Sequence, residues 1–118
     1  GTIAIVIDPV NVTVNQGQTA GFTVIGAFIK SSDGTVGTTP LNYQWQRKQY
    51  GETAWANITG ATSSVYSTPS AAQADDGDEF RVAITAAGAS PVYSNSVILT
   101  VQTGATIISN FLPTQIFQ

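Results

Sequence analysis

The stretch Ala74–Thr85, ADDGDEFRVAIT, changes character at its middle. Asp75, Asp76, Asp78 and Glu79 crowd around Gly77, and then Phe80, Val82 and Ile84 alternate with Arg81, Ala83 and Thr85. A period of two sends successive side chains to opposite faces of a pleated strand, so the second half reads as a strand with one apolar face. The first half reads as the corner that leads into it. Asp tends to hydrogen-bond nearby backbone in such turns and Gly accepts a positive φ.

The same alternation recurs on both sides of this stretch. LNYQWQR at 41–47 places Tyr43 and Trp45 on one face and Gln44 and Gln46 on the other; SVILTV at 96–101 aligns Val97, Leu99 and Val101. AGFTVIGAF at 20–28 puts Phe22 and Val24 together, and shorter strands are expected around Trp55 and over Ser64–Thr68 with Tyr66 facing inward. Thr2–Asp8 and Val10–Val14 flank Pro9, which lacks an N–H and belongs at a kink in an edge strand. KSSDGTVGTTP at 30–40 is loop by composition, and the one helix-like run, Ser70–Ala74, is too short for more than a turn. About eight short strands over roughly 100 residues, without a helical stripe, predict an all-β sandwich.

Composition bounds what such a domain can do. The chain has 118 residues, 42% hydrophobic and 9% charged, which suits one domain with a single core. Lys30, Arg47, Lys48 and Arg81 are its only cations and the net charge is −3, so a phosphate backbone or an anionic membrane has little to meet. With no Cys, His or Met, thiolate chemistry, zinc centres and a Ser-His-Asp triad lack their ligands or base. No run approaches the roughly 18 apolar residues of a membrane span. The expectation is a protein without cofactor or catalysis. Because the first residue is Gly1, the chain is expected to be processed or part of something longer.

GQTAGFTV, YQWQR and ADDGDEFRV, in that order, resemble the immunoglobulin-like modules of bacterial surface proteins and tailed-phage virion proteins, over residues 1–102. The resemblance implies an immunoglobulin-like sandwich of about seven to nine antiparallel strands, in which a Trp on strand C packs on one residue each from strands B and F. Those positions hold Trp45, Val24 and Val82, so no disulfide joins them, and Phe80 takes the place of the corner tyrosine and contributes by packing alone. It also implies a structural or display module on a virion, in capsid or tail. The alternative is a glycan- or protein-binding module at a bacterial cell surface.

Several residues invite a binding role. Asp75, Asp76, Asp78 and Glu79 carry the oxygens a calcium ion takes, though not at the spacing of a twelve-residue calcium loop; the plainer reading is a turn with solvated acids on a convex corner. RKQYGETAW gathers Arg47, Lys48, Tyr50 and Trp55 about a hairpin, where aromatic and cationic groups suit a sugar or a protein, against the plainer reading that Trp55 caps the open edge of the core. The loops Phe28–Pro40 and Ala86–Tyr93 should meet at one end of the sandwich, with Asp33 and Tyr93 as their probes.

After the last strand, Thr103–Gln118 (TGATIISNFLPTQIFQ) carries Ile107, Ile108, Phe111, Leu112, Ile116 and Phe117. So many apolar side chains need a partner. The segment is expected either to open a following module or to add a strand to a neighbouring subunit of a capsid, tail or filament.

Overall fold

In the computed structural model, residues 1–103 are described, and among them ten strands form two facing layers. Thr103 follows the last strand, and the six apolar residues of the terminal segment lie outside the described residues.

One layer pairs β1 (Thr2–Ile7) with β4 (Ile25–Ile29) and β3 (Gly21–Thr23) with β7 (Val65–Ser67), all antiparallel. The other runs β2 (Val12–Asn15), β10 (Val97–Gln102), β8 (Glu79–Ala86), β5 (Asn42–Lys48), β6 (Ala56–Asn57), with β9 (Ala89–Tyr93) also on β8. Ten strands arise from fewer expected runs for two reasons. AGFTVIGAF is interrupted at Val24, whose N–H goes to Ser64 O at 3.0 Å, and β9 forms within a segment expected as loop.

Pro9 moves the chain from one layer to the other. β1 stops before it, and the crossing is fastened by side chains: Asp8 Oδ1 accepts from Asn95 N at 3.2 Å and Asn11 Oδ1 from Ile98 N at 2.9 Å. β2 then lies parallel to β10, from Leu99↔Val12 to Gln102↔Asn15, an exception to the antiparallel pairing expected throughout.

The alternations become the core. Phe80, Val82 and Ile84 on β8 and Val97, Leu99 and Val101 on β10 are buried, as are Phe22, Val24 and Trp45. Trp45 faces Val82 in register, and its indole N–H donates to Ser63 O at 2.7 Å, so the one polar atom of this buried ring is satisfied. Phe22 stacks on Phe80 with centroids 5.0 Å apart, and Tyr66 lies 6.2 Å from Trp45 and 5.9 Å from Phe80. Rings thus fill the space between the layers.

Two loop expectations change. Ala86–Tyr93 is mostly strand: β9 returns along β8 from a two-residue turn, Ala87-Gly88, leaving no long loop there. Residues 30–40 fold back on themselves, with Lys30 N to Thr35 O at 2.8 Å, Gly37 N to Phe28 O at 2.8 Å and an isolated bridge between Ile29 and Val36. Asp33 organises that turn by accepting from Thr35 N at 3.0 Å and Thr35 Oγ1 at 2.7 Å, which holds its carboxyl below the ordinary carboxylate range.

Candidate interaction face

The acid corner proves to be internal scaffolding. Asp78 is 1% exposed, so the picture of solvated acids fails for it. Its carboxylate accepts from Arg47 Nε at 2.9 Å, from Arg47 Nη2 and from Tyr50 N at 2.9 Å, which replaces the water it has lost. Asp75 accepts from Arg47 Nη2 at 3.0 Å and from Ala72 N at 2.8 Å, closing the short 3-10 turn Gln73–Asp75. Asp76 accepts from Val101 N at 2.8 Å, and Glu79 lies 3.6 Å from Lys48 Nζ. Each acid is committed to this chain, and among the described residues no three carboxylates gather as metal ligands.

Arg47 also borders a cavity of about 250 Å³ with Tyr66, Thr68, Asp75, Asp78 and Phe80. The two carboxylates there are both bound to one guanidinium, that of Arg47. Burial beside this cavity pushes the Tyr66 phenol up from its ordinary value, nearby Arg47 acting in the opposite sense.

The hairpin residues expected together are separated by the alternation of β5. Arg47 points between the layers, whereas Gln46 and Lys48 point out. Tyr50 lies over the corner instead, where a Cβ on Gly77 would come within 2.6 Å of its ring, yet it remains 77% exposed. Trp55 belongs to neither the buried cluster nor its fringe, so it does not cap the core. It precedes β6, which is only two residues long, and lies on the outer face of the β6–β5–β8–β9 sheet.

There it meets Arg81. The Arg81 guanidinium carbon is 4.5 Å from the Trp55 ring centroid and 4.3 Å from that of Tyr93, so on this outer face the cation lies between rings contributed from either flank of β8. Lys48 Nζ is 5.4 Å from the same Trp55 ring. Beneath the sandwich a polar row fixes its position. Arg81 Nε donates to Gln46 Oε1 at 2.7 Å, and Gln46 Nε2 donates to Asn57 Oδ1 at 2.8 Å, linking β8, β5 and β6. Gln46 stands opposite both Arg81 and Asn57 in the register, which is why the row closes.

Arg81 escaped the sequence reading. The signal was present in the alternation of β8, which sends Arg81 outward from the same strand that sends Phe80 and Val82 in, but the pairing that brings Tyr93 beside it was hidden in a supposed loop.

Residues 10–103 match the model of a family described as a domain of unknown function (DUF8696), and the chain belongs to that family. No characterised protein sequence matches it. Among solved structures, it is similar to the N-terminal two-domain immunoglobulin module of the Drosophila receptor protein tyrosine phosphatase DLAR, at 15% identity over 92% of this chain and 53% of that one, TM-score 0.61. It is similar to the immunoglobulin domains 1–5 of Sidekick-1, at 18% identity over 86% and 20%, TM-score 0.57. It is also similar to titin domain M7, at 13% identity over 86% and 95%, TM-score 0.51. The chain therefore spans about half, or less, of the first two and nearly all of the third. At these identities the shared property is the fold: an immunoglobulin-like sandwich, here without cysteine.

Proposed function

We propose that the chain is a non-catalytic protein-interaction and display module, held in a larger assembly through the apolar residues after Gln102 and presenting its Trp55–Arg81–Tyr93 face to a partner. The observation that carries this reading is the sandwiched guanidinium. Two large aromatics and an arginine, ordered before any partner arrives, are the residue types that dominate interface energetics, and ordering them in advance lowers the cost of binding. The carboxylates of the acid corner and of Asp33 are engaged by the chain itself.

The assembly we favour is a virion, with capsid or tail subunits as neighbours, and a place on the virion surface. Support comes from the likeness of GQTAGFTV, YQWQR and ADDGDEFRV to virion modules and from the apolar composition of Thr103–Gln118. Deleting Thr103–Gln118 should leave a folded domain that no longer enters its particle. A truncated chain that still incorporates fully ends the anchoring role.

A second reading, a glycan-binding module at a bacterial cell surface, is favoured by Trp55, whose indole is of a kind that stacks on sugar rings. A glycan array decides between them: specific binding abolished by Trp55→Ala supports the second reading.

A further inference from the structure

Arg81 differs from the other three cations of the chain. Lys30 pairs with Asp33 at 3.7 Å, Arg47 with Asp75 and Asp78, and Lys48 with Glu79 at 3.6 Å. Among the described residues Arg81 has no carboxylate, and only its Nε donates, to Gln46. The rings of Trp55 and Tyr93 both lie within 4.5 Å of the guanidinium carbon, and neither brings an oxygen to accept its Nη hydrogens. A planar cation held between two rings, with its Nη donors unspent, is prepared for a bidentate acceptor. Lys48 also lies above this indole, although its charge is paired with Glu79.

We infer that Arg81 is the receptor for an Asp or Glu side chain of a protein partner, which inserts its carboxylate at the edge of the Trp55–Arg81–Tyr93 sandwich. This rests on the reading of that face as an interaction surface and names what it recognises. A protein suits the site better than an acidic sugar. The cluster stands on the outer face of a sheet, and neither Trp55, Arg81 nor Tyr93 lines the cavities of about 250 and 290 Å³. An outer face with rings beside a cation gains most from a partner that covers the rings and brings the acid with it.

The test uses the full chain and a displayed library of capped twelve-residue peptides, each acidic member matched by a copy carrying Asn or Gln for Asp or Glu. Binding is measured at low and physiological salt. The expected result is selection of peptides that place an acid beside an apolar residue, at least tenfold weaker binding of their amide copies, and a similar loss for Arg81→Gln and for Arg81→Lys, which keeps charge but not the fork. Comparing acid with amide on the unaltered protein keeps the test valid even if an Arg81 variant is poorly folded. Peptides that bind through Trp55 with no preference for acid over amide overturn the carboxylate receptor while leaving the interaction face intact. Uronic-acid oligosaccharides that bind through Arg81 where no peptide does overturn the choice of a protein partner. Binding of neither probe by the native chain overturns the inference as well.

Discussion

Arg47 and Asp78, 31 positions apart, are joined across the β5–β8 pair, with Arg47 Nε 2.9 Å from an Asp78 oxygen that is almost wholly withdrawn from water. Removing one partner of such a pair withdraws compensation from the other. Arg47 is 33% exposed and keeps Asp75 at 3.0 Å, so Asp78→Ala should cost about 3 kcal/mol, at the low end for a buried pair. Asp78→Asn, which can still accept from Tyr50 N, should cost less. Denaturant unfolding checks both, and a loss below about 1 kcal/mol for Asp78→Ala would mean that the pair is solvated.

Gly77 sits at φ +87°, and a Cβ there would press on the Tyr50 ring. Gly77→Ala should therefore destabilise by about 1–2 kcal/mol from the backbone alone. The clash is a separate and smaller matter, because Tyr50 is exposed and its ring can swing aside. A Gly77→Ala, Tyr50→Ala double variant should relieve that part only. Full recovery in the double variant would show that the backbone conformation carries no cost.

Tyr66 gives the alkaline limb of stability a definite sign. Burial raises its folded pKa above the unfolded value near 10, so above that pH the folded state holds more protons than the unfolded one and stability falls as pH rises. The contribution is complete below about pH 10 and is lost as pH climbs through the folded pKa. Unfolding midpoints of the native chain and Tyr66→Phe should run together at neutral pH and diverge above about pH 10, the native chain falling faster. Parallel curves there would place the phenol in water.

Val24 and Val82 take the positions that the immunoglobulin sandwich offers to its inter-sheet bridge, and both are buried in one cluster with Trp45. A Val24→Cys, Val82→Cys variant should oxidise to a monomeric disulfide and gain about 2–4 kcal/mol over its reduced form. Mass spectrometry and melts with and without reductant give the answer. Two thiols that remain free under oxidant would put these positions too far apart for a bridge.

How far the sequence carried follows from the range over which each signal acts. The alternations at Phe80–Ile84 and Val97–Val101 were legible because period two is local and each strand is long enough to show it. β9 was not, since ASPVY mixes small residues with a proline and owes its strand geometry to β8. The corner at Gly77 was legible as a turn, but the burial of Asp78 was not, because its partner Arg47 lies a strand away. Trp55 was singled out by type, with its place left open between the core edge and the surface, because β6 is too short to declare which side it faces. The sandwich around Arg81 depends on register among three strands, which no single segment encodes.

The sharpest check is the NMR spectrum of the Arg81 side chain in the full chain without any partner. If Trp55 and Tyr93 hold the guanidinium as described, the Arg81 Nε–H signal is slow to exchange and its methylene protons are shifted upfield by the two rings. Trp55→Ala and Tyr93→Ala each remove part of that shift without lowering the melting temperature much. Arg81 signals at free-arginine positions, unchanged by either substitution, would contradict a face prepared in advance for its partner.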